Sequence, residues 1–424
     1  MIKSVKLESP AKRAALLAAV LLCLAGAFFF AKWSFANTIA IQSGYNAERA
    51  APKDLAELAV YLAPNDPQTH YALAVVGEKS FVMEDFTKSV AEYEMATALS
   101  PNDFRLWLAL GKARERSGDA AGAEKALRKA LELAPNYSEA QWTLGNALLR
   151  QGKTEEAFDE IRKSVVGDTK YVAPAVSTAW QILDGDLAQI KQNLGDSAAL
   201  NSALALFLSK QKRFDEALQI WNALPENDRK TTFKLTGEEL YREMIAAKKY
   251  RAALQLQNQA GAANPAVGKI TNGGFEEKIN PTNPSVFEWQ IAEAAQPRVG
   301  PNDAQKHGGA LSLLLIFNSS DGKDFRNISQ VVAVEPGRKY NFEAFYKSDL
   351  KASATLKWEI ADADGKVLAT TAAVSANADW TSLKADFTAP ENMDAVIIRL
   401  ARDGCKSAIC PISGSIWFDD FSIN

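Results

Sequence analysis

The 424 residues are 47% hydrophobic and 23% charged, with a formal net charge of −3. That is enough chain for two or three domains, each burying its own core. The acidic balance argues against a nucleic-acid partner, which needs a basic surplus on one face. Having only two histidines, His70 and His307, disfavours multi-histidine metal centres and imidazole-based catalysis.

The chain opens with a basic tail, residues 1–13, carrying Lys3, Lys6, Lys12 and Arg13. An uncharged run follows from Ala14 to Ala31, with Phe28, Phe29 and Phe30 in succession. As a helix it would extend about 27 Å, close to the hydrocarbon thickness of a bilayer. Lys32 and Trp33 supply an interfacial flank, so residues 14–33 are predicted to be a single-pass anchor. The positive-inside rule keeps the basic tail cytoplasmic and places the bulk of the chain in the periplasm or outside the cell, on an inner-membrane anchor. Ser34-Phe35-Ala36 also fits a small-x-small cleavage site, which leaves a cleaved signal as the alternative. In an oxidising compartment the close pair Cys405 and Cys410 is expected to form a disulfide around a small loop. Half of a metal site is the rival reading, without another cysteine or histidine nearby to complete it.

In the middle of the chain Gly77, Gly111 and Gly145 recur at 34-residue intervals, as do Ala96, Ala130 and Ser164. Pro64-Asn65-Asp66, Pro101-Asn102-Asp103 and Pro135-Asn136-Tyr137 punctuate the units. Such a period signals stacked helix pairs, with small residues where two helices approach closely. Further second helices are predicted to start at Phe214 and Tyr250. Residues 46–262 are therefore read as one α-solenoid. The unit Phe104–Tyr137 resembles the tetratricopeptide repeat at Trp107, Leu110, Gly111, Ala123, Leu127, Ala130 and Pro135. By that resemblance Tyr71, Phe81, Arg105, Lys112, Trp142 and Asn146 face a concave groove that takes a protein partner. The alternative is that these aromatics pack against neighbouring helices or the chain's own tail.

After a linker, residues 263–269, the pattern changes to apolar alternation, as in Tyr340–Tyr346 and Thr355–Ile360, with a hairpin turn at Asp364-Gly365. Residues 270–424 are predicted to form an antiparallel β-sandwich, and the whole chain an α+β multidomain protein. The stretch Asn272-Gly273-Gly274-Phe275-Glu276 opens this domain and Trp417-Phe418-Asp419-Asp420-Phe421 closes it, with Trp289, His307-Gly308-Gly309 and Trp380 between them. This resembles the galactose-binding-like jelly roll of family 4/9 carbohydrate-binding modules. The resemblance implies first and last strands side by side, and a structural calcium ion (Ca2+) held by Glu276, Asp419 and Asp420. A hydrogen-bonded closure without metal is the alternative. Trp358 reads as core, and Trp289 and Trp380 occupy positions the family uses structurally. Phe325 and Arg326 on a polar loop, with Tyr340, Phe345 and Tyr346, are the candidates for contact with carbohydrate.

No catalytic constellation is legible. Two Ser-x-x-Lys strings, at Ser9 and Ser209, fall on the cytoplasmic tail and on a repeat helix, and no phosphate loop or nucleophile elbow is present. The expected function is a non-catalytic envelope scaffold. Its solenoid binds a protein and its sandwich binds polysaccharide, in a setting such as exopolysaccharide or O-antigen assembly. A purely structural interaction protein, and more remotely a polysaccharide hydrolase, are the competing readings.

Overall fold

A computed structural model describes residues 9–45, 52–79, 83–260, 265–319, 325–352, 355–403 and 410–424. Phe81 and Cys405 lie outside the described residues, as does most of the polar loop before Phe325. The chain divides into two compact units, Met1–Leu200 and Asn201–Asn424.

In the first unit, α1 (Pro10–Tyr45) is a 36-residue helix. Its stretch from Pro10 to Ser43 is long and apolar enough to cross a membrane. Leu17, Leu21, Leu22, Phe28, Phe29 and Phe30 are all more than 60% exposed, so this part packs on nothing among the described residues. The helix does not end at the predicted interfacial flank. Ala36, Ile39, Ala40 and Ser43 are buried against α2 (Pro52–Leu62) and α3 (Pro67–Glu78). Asp66 fastens the junction. Its carboxylate accepts from the Trp33 indole N–H and the Asn37 amide while capping α3 at the Gln68 N–H, 2.8 Å away. The last turns of α1 thus serve as the first helix of the array.

The helix pairs that follow are α3 with α4 (Met83–Leu99), α5 (Phe104–Arg116) with α6 (Ala120–Leu133), and α7 (Ser138–Arg150) with α8 (Thr154–Gly167). Asp66 and Asp103, from the Pro-Asn punctuation, cap α3 and α5, because a short acidic side chain satisfies the free N–H groups of a first turn. The glycine spacing has the expected cause. A Cβ at Gly111 would sit 2.5 Å from the Leu127 side chain, and one at Gly145 2.6 Å from Ile161 and 3.0 Å from the Ala157 carbonyl. Each glycine is where the two helices of a pair cross. Ala123, Ala130 and Ala157, fully buried, line the opposite side of these crossings. A 3-10 turn (Thr169–Tyr171) leads to α9 (Val172–Ile182) and α10 (Leu187–Leu194), which close against α8.

The second unit opens within α11 (Ala198–Lys210) and continues through α12 (Phe214–Asn222), α13 (Glu226–Lys230), α14 (Lys234–Ala246) and α15 (Tyr250–Gln259). Helices therefore start at Phe214 and Tyr250, the two positions marked in the sequence. Strands β1 (Gln290–Ile291), β2 (Arg298–Asn302), β3 (Ser312–Ser319), β4 (Ile328–Ala333), β5 (Lys339–Ala352), β6 (Leu356–Asp362), β7 (Val367–Thr370), β8 (Asn377–Thr388), β9 (Ala395–Arg402) and β10 (Ile412–Ile423) follow. They pair antiparallel in two sheets, ordered β1-β4-β9-β6-β7 and β2-β3-β10-β5-β8. Alternate residues of both sheets fill one core around Trp289, Trp358, Phe342, Phe418 and Phe421. The Asp364-Gly365 hairpin forms as read: Gly365 takes φ 88° and the Asp362 carboxylate accepts the Asp364 and Lys366 N–H groups.

Two local findings differ from expectation. The opening Asn272–Phe275 stretch is a turn and not a strand, and it meets β10 through the Phe421 N–H bonded to the Gly273 carbonyl, 3.0 Å. The segment from Pro265 is not a free linker either. Pro265 accepts from the Asn258 amide of α15, and the Gly268 N–H donates to Ala333 of β4 at 2.7 Å. Helices and sandwich are joined further by Asp394. Its two carboxylate oxygens accept the Tyr250 and Arg251 N–H groups at 3.1 and 3.0 Å, so a sandwich loop caps α15.

Candidate functional site

On the first unit, Tyr71, Arg105, Lys112, Trp142 and Asn146 lie on α3, α5 and α7. Tyr71 is half-buried and stands edge-on to Tyr93, ring centres 5.8 Å apart; burial pushes its hydroxyl pKa up. Trp142 stacks on Tyr171 at 5.3 Å, and Asn146 turns back onto the Trp142 carbonyl at 2.8 Å. Arg105 folds onto Asp103, the cap of its own helix, at 2.6 and 2.9 Å. Lys112 is paired with Glu139 of α7, which holds that carboxyl below its ordinary range. Two further charge pairs step along the helices: Arg116 with Glu78, and Arg150 with Glu115. Each predicted groove residue in the described part is thus engaged by a neighbour, and the aromatics are half-covered by other aromatics.

In the sandwich the carboxylates named from the resemblance do come together. The register pairs Asp419 with Phe345 on the outer face of the second sheet, yet Asp419 is fully buried because the 305–311 loop folds over it. Its Oδ2 accepts the His307 and Gly308 N–H groups at 2.8 and 3.1 Å, and its Oδ1 accepts the Asp420 N–H at 2.8 Å. Desolvation raises its pKa against the lowering effect of these bonds. Glu276 Oε1 accepts from Ala310 and Leu311 at 2.8 and 3.1 Å, and Asp420 bonds the His307 ring at 2.7 Å. The glycines permit this closeness: a Cβ at Gly309 would meet Glu276 and one at Gly308 would meet Asp420, both within 2.5 Å. Calcium asks for six to eight oxygen ligands. Here both Asp419 oxygens and Glu276 Oε1 accept amide N–H groups while Asp420 bonds the His307 ring, and among the described residues no group of three or more acidic, histidine or cysteine side chains is disposed to hold a metal. As arranged, the cluster closes the 305–311 loop over β10 by hydrogen bonds.

The predicted carbohydrate contacts are placed unevenly. Tyr340 and Tyr346 are only 4% and 3% exposed, and their hydroxyls accept the Glu335 and Ser375 N–H groups. They belong to the inward phase of β5 and offer no ring face to a ligand. Phe325 packs parallel to Phe317 against the core, and Arg326 is spent on the Ala294 carbonyl. Cys410 is buried.

The outward phase of β5 carries Phe345 and Lys347 instead. His307 lies flat on Phe345, 3.8 Å between ring centres, with Trp380 of β8 5.6 Å from His307. Trp380 is partly exposed on this outer face. Pairing continues a row across the sheet through Gly300, Leu314, Trp417 and Lys347, and Lys347 bonds Asp379 at 2.9 Å. The next row holds Arg298, Ile316, Ser415 and Asp349, with Ile316 42% exposed. A Cβ at Gly300 would meet nothing. The outer face thus presents two indole rings, apolar side chains, and flanking charged and hydroxyl groups on one rigid surface. Both outward tryptophans had a sequence signal: Trp417 alternates with Ile416 and Phe418, and Trp380 falls in the set opposite Leu383, Ala385 and Phe387 of β8.

Comparison with known proteins agrees with this division. A tetratricopeptide-repeat family model matches residues 81–138 and 108–170, and a carbohydrate-binding-domain model matches residues 267–403. The chain is 29% identical over 105 residues to the peroxisomal targeting signal receptor of Saccharomyces cerevisiae, covering 25% of this chain and 17% of that protein. It therefore spans about a sixth of that relative's length. Among solved structures, PilF of Pseudomonas aeruginosa is 18% identical, covers 55% of this chain and 95% of its own, and has a TM-score of 0.31. A CBM4 structure is 20% identical, covers 37% of this chain and 98% of its own, and has a TM-score of 0.29. The chain carries tetratricopeptide repeats in its N-terminal half and a family 4/9 carbohydrate-binding domain in its C-terminal half.

Proposed function

We infer that the protein is a non-catalytic, membrane-anchored scaffold. Its repeat helices hold a protein partner while the outer face of the β2-β3-β10-β5-β8 sheet engages polysaccharide. The observation that supports the reading best is that outer face. Indole rings at Trp417 and Trp380 give flat apolar surfaces for the C–H faces of sugar rings, and Lys347, Asp349 and Asn302 surround them with groups able to bond hydroxyls. Lectin-like sites combine such aromatic area with a few fixed polar groups. The long apolar α1 supports a membrane anchor, and its positive flank a periplasmic or extracellular location of the rest. Assembly or export of an envelope polysaccharide is a setting that uses all three parts. A glycan array on the full chain in detergent tests the sugar reading: Trp380→Ala with Trp417→Ala should remove most of the signal at an unchanged melting temperature. An array without any hit for the unaltered chain would reject it. The groove reading is tested by Trp142→Ala, expected to lose co-purifying protein partners that the unaltered chain retains.

A further inference from the structure

Within the second unit a cavity of about 640 Å³ opens between α12–α15 and the sandwich loop 283–288, within the range of small-ligand sites. Its wall is fixed by polar contacts. The Ser285 hydroxyl donates to Gln257 at 2.6 Å, Tyr241 lies 3.4 Å from Ser285, and the Trp221 indole N–H donates to Gln259 at 3.0 Å. Tyr241 is half-exposed and offers a ring at the wall.

The charges around it are unbalanced in their engagement. Arg229, Lys234 and Arg242 line the cavity, and among the described residues none has a short carboxylate partner. Arg229 Nε is buried without a hydrogen-bond partner, and its one contact, to Asn222, is 3.5 Å long. Lys234 stands 4.0 Å from Glu238, and Arg242 reaches only the Glu238 backbone carbonyl at 3.4 Å. The acid on the opposite wall, Glu288, is occupied by the Ser285 N–H at 2.6 Å. Arg229 also borders a second cavity, of about 960 Å³, whose wall includes Lys249 and Arg251. These two form no ion pair among the described residues; of the acids on that wall, Asp215, Glu226 and Asp394, Asp394 is committed to the α15 N-terminus and Glu226 to Lys230. A buried guanidinium Nε left without an acceptor is costly unless a ligand supplies one.

We propose that this cleft is a second saccharide site on the unit, selective for an anionic sugar whose carboxylate pairs with Arg229 and Arg242. Planar guanidinium groups suit a carboxylate, while the half-exposed Tyr241 ring suits the apolar face of a sugar. The inference shares with the proposed function only the ligand class; it does not use the outer sheet face.

The test is calorimetric titration of the full chain in detergent with hexagalacturonate, hexaguluronate, neutral cellohexaose and hexaglutamate. At least one uronate should bind, and more weakly at high salt. Arg242→Glu, at an exposed helix position, and Arg229→Gln should each weaken uronate binding by roughly tenfold. Trp380→Ala should leave it unchanged. The proposal is overturned if neither uronate binds, if hexaglutamate binds as well as the uronates, or if Arg242→Glu changes nothing. Loss of uronate binding in Trp380→Ala alone would move the ligand to the outer face, overturning the cleft and sparing the proposed function.

Discussion

Replacing Asp394 by alanine tests whether helices and sandwich of the second unit fold as one body. The Asp394 carboxylate accepts the first free N–H groups of α15, from Tyr250 and Arg251, across some 144 residues of sequence. Loss of a helix cap costs about 1 kcal/mol, and hydrogen bonds to a charged acceptor are worth about 1.5–3 kcal/mol before water refills part of the gap. A net loss of about 2 kcal/mol is therefore expected. In a unit of this size that lowers the melting temperature by about 4–8 °C. The neighbouring link, Lys248 to Asp364, is half-exposed on both sides, and such surface pairs contribute at most about 1 kcal/mol. Asp364→Ala should accordingly shift melting far less. Amide exchange supplies the local readout: Tyr250 and Arg251 should exchange much faster in Asp394→Ala, with the central strand β10 unaffected. Equal melting temperatures for Asp394→Ala and the unaltered chain, with unchanged exchange at Tyr250, would refute the reasoning.

Gly145→Ala should destabilise the first unit by about 1–2 kcal/mol, since its Cβ meets a backbone carbonyl as well as Ile161 and overpacking outweighs the gain in helix propensity; urea unfolding monitored by circular dichroism measures it. His70 bonds Glu92 at 2.6 Å and the Pro64 carbonyl at 2.8 Å, and the Glu92 bond raises its pKa despite burial. A folded-state pKa raised in this way adds stability below the ordinary histidine value that is lost as pH rises through the folded value, by about 1.4 kcal/mol per unit of rise. Thermal melts of the unaltered chain at pH 5.5 and 8.5 should differ in that sense, and His70→Gln should flatten the difference. Chelator should leave the melting temperature unchanged. Removing a calcium ion bound at 100 times its dissociation constant would cost about 2.7 kcal/mol, hence a fall on the order of 5–10 °C, and such a fall would contradict a hydrogen-bonded closure around Asp419 without metal.

The repeat scaffold was legible because its signal is one of spacing. Gly111 and Gly145 are dictated by a steric event, the helix crossing, that recurs once per unit, and the Pro-Asn-Asp punctuation places Asp66 and Asp103 at caps. The sandwich was legible as alternation, and Trp358 and Trp289 fell inside as read. What sequence could not supply was register. Tyr340 and Tyr346 share the inward phase of β5 with Phe342, a phase that the alternate polar residues Asn341 and Glu343 already mark, so alternation argued against these two tyrosines as ligand contacts and for Phe345. Trp380 obeys the same alternation, standing opposite in phase to Leu383, Ala385 and Phe387; what pairing alone supplies is its neighbours, because the 305–311 loop brings His307 between it and Phe345. The end of α1 was hidden by its own continuity. Lys32 and Trp33 look like an interface flank, yet helix geometry simply continues to where Ala36 and Ala40 find α2 and α3.

That continuity bears on how the repeat face could work. Because Trp33 and Asn37 are tied to Asp66, the cap of α3, the first repeat helices are fixed to the end of the apolar helix and not tethered by a flexible stalk. A partner approaching the repeat helices then meets side chains that already satisfy one another: Lys112 with Glu139, Arg116 with Glu78, Arg150 with Glu115. The Lys112–Glu139 pair is half-exposed on both sides and worth little by itself, so a charged partner segment can exchange it at small cost, whereas Glu78 and Glu115 are largely covered. Specificity would then rest on Tyr71 and on the Trp142–Tyr171 stack, where displaced aromatic area must be replaced by the partner's own.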